Sequence, residues 1–114
     1  SSFENLVSSL NLENWIYLYI FFELGLIKEL GYDTNLSQNK IKNINISDFN
    51  KIKIDNYIYE VPNFLILKKI PDKFSNILIK KSLNFTRYVM QNKFFIPNNI
   101  IFPKSRVILE NYFN

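Results

Sequence analysis

The chain has 114 residues, with 14 Lys and Arg against 10 Asp and Glu, a formal charge of +4. That length holds one domain with a real core, and 47% apolar with 17% aromatic residues marks a globular chain, not a disordered one. The absence of His and Cys excludes His-based acid–base chemistry, Cys nucleophiles, disulfides and the usual Cys/His zinc sites.

Charge is unevenly spread. Residues 1–35 hold one cation, Lys28, against five carboxylates, whereas residues 36–114 hold thirteen cations against five. An asymmetry of that size points to an anionic partner for the second part, nucleic acid before membrane; a lysine-rich solvated surface is the bland alternative. The run Trp15 to Phe22 is too short for the roughly 20 residues that cross a bilayer, and no secretory pattern opens the chain. A cytoplasmic setting is expected, with no membrane partner. Nothing resembling a repeat or linker divides residues 1–114, which read as one domain. The opening Ser1-Ser2, without Met, reads as a piece of something longer.

The first element is a helix over about Leu12 to Leu30, with Asn11 as its cap, Glu13 in its first turn and Gly31 as its stop. Leu12, Trp15, Tyr19, Phe22, Leu26 and Leu30 share one face, while Tyr17, Ile20, Leu24 and Ile27 cover much of the opposite side. Two apolar sides predict a central helix packed between neighbours. Glu23 projects into an apolar sector, where a carboxylate needs a cation or several donors. A structural ion pair with Arg106 or Arg87 is the expectation.

Residues at about 40–62 form a short β-hairpin or irregular insert. Lys51 to Ile54 and Tyr57 to Val61 alternate as strands around an Asp55-Asn56 turn, and Pro62 ends them. A second long helix runs from Pro71 or Asp72 to Phe94. Phe74, Ile77, Leu78, Phe85, Tyr88 and Val89 form its main apolar face. A shorter helix follows Pro103. The predicted architecture is mainly α, a small helical bundle with that insert.

Between the apolar faces of the second helix sit Lys73, Lys80 and Arg87, spaced by seven along about 21 Å. With Lys68 and Lys69 upstream and Lys93 downstream, they form a candidate phosphate track; the wet face of an amphipathic helix is the competing interpretation. Tyr57, Tyr59, Phe94 and Phe95 are candidates for stacking on unpaired bases, or else core residues. The scattered carboxylates have no spacing that suggests shared metal ligation, and Gly25 and Gly31 make no phosphate-cradling loop. An enzyme, a cofactor, a metal or a small-molecule substrate is therefore not expected.

Phe22-Glu23-Leu24, followed by Leu30-Gly31-Tyr32-Asp33 and Leu36, resembles the helical C-terminal domain of RecO, a bacterial recombination mediator and DNA repair protein. Val61-Pro62-Asn63-Phe64-Leu65 is similar to that family's Leu-Pro-x-Phe-Leu, and the resemblance runs on through the long helix to Pro103-Lys104-Ser105-Arg106. It covers nearly the whole chain and looks most like alphaproteobacterial members. The resemblance implies an oligonucleotide-binding barrel before Ser1, and a nucleoid-associated role in the cytoplasm. It also implies binding and annealing of single- and double-stranded DNA, and contacts with the acidic tail of single-stranded DNA-binding protein and with RecR. No bond chemistry is implied.

Two departures qualify what carries over. Residues 36–61 contain none of the four cysteines with which many members hold zinc. The positions before the aromatic-Glu-Leu unit, often arginines that hold the partner tail, are Ile20 and Phe21. The expected peptide-binding cations are then Lys28, Lys104 and Arg106, beside a groove on the first helix. The alternative is a helical protein–protein interaction scaffold that never touches nucleic acid.

Overall fold

A computed structural model describes residues 12–32, 34, 36, 45–73 and 75–114. The Asn11 cap, the side chains of Leu12 and Glu13, Asp33, residues 37–44 of the insert and Phe74 lie outside the described residues. The order is α1 (Leu12–Glu29), β1 (Phe49–Ile54), β2 (Tyr57–Pro62), α2 (Asn63–Leu67), α3 (Asn76–Met90) and α4 (Lys104–Tyr112), with a π-helical turn over Gln91–Phe95. The protein is mainly α with a small antiparallel β insert. No helix among the described residues is long and apolar enough to cross a membrane.

α1 ends where Gly31 takes φ +93°, a conformation that costs glycine little. Tyr32 N–H donates to the Ile27 carbonyl at 3.1 Å and Gly31 N–H to that of Lys28 at 2.9 Å, the paired bonds of a Schellman stop. The helix buries one side only. Ile16, Tyr17, Ile20, Glu23 and Ile27 are inside, whereas Phe22 is 64% exposed and Trp15, Leu26 and Leu30 are exposed beside it. The expectation of a helix packed on both sides is corrected: the face with the larger rings looks outward, and the β-branched face packs on α3 and the α2 segment.

The hairpin pairs Phe49 with Pro62 through to Ile54 with Tyr57. Asp55 sits at φ +55° in the two-residue turn, a conformation Asp tolerates better than most side chains. Ile52 and Tyr59, directly paired, face the core, while Lys51, Lys53, Ile58 and Glu60 face outward. At the base, Asn63 is fully buried and satisfied: its Nδ2 donates to the Asn45 carbonyl at 2.7 Å, its Oδ1 accepts from Asn50, and its N–H donates to the Asp48 carbonyl at 2.8 Å. The adjoining short helix α2 was not legible in the sequence pattern; it turns Phe64 and Leu65 into the core.

α3 starts at Asn76, not at Pro71 or Asp72, because Ser75 takes the cap: its Oγ accepts from Leu78 N–H at 3.3 Å. The Tyr17 hydroxyl pins the preceding turn, accepting from Ser75 N–H at 3.0 Å and donating to the Lys73 carbonyl at 3.3 Å. Lys73 thus precedes the helix and does not lie along it. At the far end, Ile96 N–H reaches the Gln91 carbonyl at 2.9 Å, the wider π spacing. The core is knitted by edge-to-face rings, Tyr17 on Phe64 at 5.3 Å, Phe21 on Phe64 at 5.9 Å and Tyr59 on Phe85 at 5.5 Å.

Candidate functional site

Glu23 lies at the centre of the buried face of α1, between Ile20 and Ile27. Burial there requires full hydrogen bonding, and four donors supply it. Arg106 grips it bidentately, Nε to Oε2 at 2.6 Å and Nη2 to Oε1 at 2.9 Å. Thr86 of α3 donates to Oε1 at 2.8 Å and Tyr19, one turn earlier on α1, donates to Oε2 at 2.9 Å. Nη2 also donates to the Leu83 carbonyl at 3.0 Å and to Thr86 Oγ1 at 3.1 Å, and Nη1 donates to Glu110 Oε2 at 3.3 Å. One planar fork therefore ties α1, α3 and α4 together.

The environment shifts two of these groups. Burial first, then the charge and hydrogen bond of Glu23, push the Tyr19 hydroxyl up to about 12, with Arg106 opposing. Burial acts to lower the pKa of Arg106, but hydrogen bonding and attraction from Glu23 outweigh it and hold the guanidinium above its ordinary value. Every acceptor site on Glu23 is occupied, so the arrangement is a clamp; it leaves no carboxylate oxygen free for proton transfer.

Glu110 forms the second half of the cluster and was missed in the sequence, although Arg106 and Glu110 stand four apart on α4. It is buried, with Arg87 Nε 2.9 Å and Lys80 Nζ 4.0 Å from its carboxylate. The Arg87 N–H is not aimed at the oxygen, so that contact is an ion pair and not a hydrogen bond. Lys80 also donates to the Glu110 carbonyl and to Asn111 Oδ1, both at 3.4 Å.

These pairs correct the expected phosphate track. Lys80 and Arg87 converge on Glu110, Lys93 pairs with Asp55, and Lys73 is off the helix, so no continuous basic strip runs along α3. Lys68, Lys69 and Lys73 remain exposed in the linker between α2 and α3, without an ion-pair partner among the described residues. Lys51 and Lys53 add two more exposed cations on the outer hairpin face, outside the expected track. Of the expected peptide-binding cations, Lys28 and Lys104 are exposed, but Arg106 is buried and fully engaged by Glu23, so it cannot serve an outside carboxylate.

Of the proposed stacking residues, Tyr57 is exposed, Tyr59 is buried against Phe85, and Phe94 and Phe95 are half-buried. The outward side of α1 carries a ladder of rings, Trp15 to Tyr19 at 6.2 Å and Tyr19 to Phe22 at 6.3 Å, continued by Leu26 and Leu30. A cleft of about 480 Å³ opens between Ile46, Phe49, Asp72, Lys73 and Leu78, and a smaller one of about 170 Å³ lies between β2 and α3. Among the described residues no group of three or more acidic side chains is placed to hold a metal ion. No protein-family model, curated protein or solved structure matches the chain.

Proposed function

We propose that the chain is the helical C-terminal part of a RecO-like recombination mediator, a non-enzymatic module that docks partner proteins and supports DNA held by a neighbouring barrel. The observation that carries this reading is the Glu23–Arg106 grip. It joins the Phe22-Glu23-Leu24 unit to the closing Pro103-Lys104-Ser105-Arg106. The third motif, Val61 to Leu65, is buried throughout and packs its Phe64 ring on Tyr17 and Phe21. The other two segments that carry the resemblance thus both pack against α1, Phe64 on its Tyr17 and Phe21 rings and Arg106 on its Glu23.

In this reading the ring ladder on α1 receives the acidic, apolar-ended tail of single-stranded DNA-binding protein, with Lys28 and Lys104 attracting its carboxylates. RecR is the second protein partner. Phosphates of single- or double-stranded DNA meet Lys68, Lys69 and Lys73 and not the interior of α3. A second reading, a scaffold that contacts proteins alone, is favoured by the neutralisation of Lys80 and Arg87 on Glu110.

Trp15 is the sole tryptophan and sits on the ladder, which makes it a direct reporter. Titration with an acidic peptide ending in Phe is expected to shift Trp15 emission, with weaker binding for Lys28→Glu. Unchanged emission together with no binding by calorimetry would sink the docking role.

A further inference from the structure

α4 is turned inside out. The two residues it buries, Arg106 and Glu110, are charged, whereas Ile108 and Tyr112 on its other side are 69% and 80% exposed. Lys104 stands four residues before Ile108 and shares that outer face. A helix whose outer side meets only water has the reverse polarity. The turn leading into α4 continues the pattern, with Ile96, Ile100 and Ile101 exposed, Ile101 most of all at 87%. Rings beneath tie the turn to the helix start, Phe95 on Phe94 at 5.3 Å and on Phe102 at 5.0 Å. We propose that the face from Ile96 to Tyr112 lies on the surface of an anionic phospholipid bilayer. This goes beyond the mediator reading and does not rest on it.

Three features select that occupant. The first is charge. Residues 73–114 hold seven cations and one carboxylate, Glu110, which is buried. From Ile96 to Tyr112 the only exposed charge is Lys104. A second copy packed face to face brings like charges together, whereas anionic headgroups attract them.

The second feature is the kind of side chain. Four isoleucines, a terminal tyrosine and a lysine whose stem can lie along apolar surface suit the boundary between headgroups and acyl chains. DNA is also anionic, but its grooves give isoleucines little to bury against.

The third is the backbone of the turn. Ile96 N–H donates to the Gln91 carbonyl at 2.9 Å, Asn98 N–H to that of Phe94 at 3.2 Å and Asn99 N–H to that of Ile96 at 3.1 Å. Ile100 N–H reaches the Phe95 carbonyl at 2.8 Å, and Pro97 has no N–H. The turn therefore gives up no N–H bond to water when it enters a layer of low dielectric. Among the described residues no helix crosses a membrane, so the contact lies along the interface. The expectation of no membrane partner came from spanning and secretory patterns, which do not register an outward apolar face.

The test is flotation of the 114-residue chain with phosphatidylcholine vesicles prepared with and without phosphatidylglycerol. The chain is expected to float with the anionic vesicles and to stay behind with the neutral ones. Ile101→Ser combined with Ile108→Ser, both at exposed positions, should weaken the anionic binding by roughly 10- to 100-fold. Lys104→Glu should weaken it by roughly 5- to 30-fold, while Phe22→Ser on the outer side of α1 should leave it unchanged. No flotation with anionic vesicles, equal flotation with neutral ones, or serine and Lys104 variants that float like the parent overturns the proposal. Binding lost in Phe22→Ser alone places the lipid on α1 and overturns it too. A dimer that sedimentation detects and the two serines dissociate assigns the face to a second copy, with the same consequence. None of these outcomes touches the mediator reading, which the peptide titration tests separately.

Discussion

Arg106 and Glu23, 83 positions apart in the chain, form a two-point ion pair at 2.6 and 2.9 Å with almost no exposure to solvent. Such a pair contributes less by its own attraction than by the penalty for breaking it, because a lone buried charge has no compensation. Arg106→Met is therefore expected to lower unfolding free energy by roughly 3–5 kcal/mol. Glu23→Leu combined with Arg106→Met removes both charges and should lose less than the single change. Urea unfolding of the three proteins decides it; a double variant less stable than Arg106→Met contradicts the account.

Tyr19 makes the same cluster sensitive to alkali. Its hydroxyl titrates at about 12 in the folded chain against 10.0 without the fold. Between those values the unfolded chain has released the proton and the folded chain still holds it, so stability falls as pH rises through that window. Below pH 10 the contribution is fully present. Tyr19→Phe should remove this part of the decline, seen as the difference between the two proteins' unfolding free energies from pH 9 to 12. Identical pH dependence would show that Tyr19 is not the group responsible.

The two glycines should respond with opposite signs. Gly25 is exposed in the middle of α1 with open space where a Cβ would stand, so Gly25→Ala is expected to stabilise by about 0.5–1 kcal/mol. Gly31, at φ +93°, holds the Schellman stop, and alanine there should destabilise by about 1 kcal/mol. Thermal unfolding of both variants reads the signs. A stabilised Gly31→Ala would mean that the turn after α1 is not fixed as described.

What was legible in the sequence depended on how local the cause was. The hairpin, with alternating Ile and Lys around Asp55-Asn56, and the Gly31 stop are set by neighbours in the chain, and both lie where the pattern puts them. Glu23 was conspicuous because a carboxylate amid Ile16, Ile20 and Ile27 needs a partner. The orientation of α1 was not legible: both of its sides are apolar, and only the packing of Phe64 on Tyr17 and Phe21 selects the inner one. The start of α3 is not fixed by the local sequence for a similar reason. Asp72 and Ser75 are both good caps, and the choice is made by Tyr17, 58 positions away from Ser75. The role of Glu110 as the sink for Lys80 and Arg87 exists only once α3 and α4 have packed together.

That sink has a measurable consequence for electrostatics. A cation already paired with a buried carboxylate releases few counterions when a strand approaches, whereas a free exposed lysine releases about 0.7 per phosphate on single strands. Under the mediator reading, Lys68→Gln, Lys69→Gln and Lys73→Gln together should flatten the slope of log affinity against log salt by roughly 2. Lys80→Gln should leave the slope as it was, and it should cost little stability because the side chain is partly exposed and its ion pair is long, at 4.0 Å. Arg87→Gln is expected to destabilise the fold, since it strips a close partner from Glu110, again without altering the slope of the protein that remains folded. If instead Lys80→Gln flattens the slope and the triple change does not, phosphates meet α3 after all and the pairing with Glu110 must open on binding.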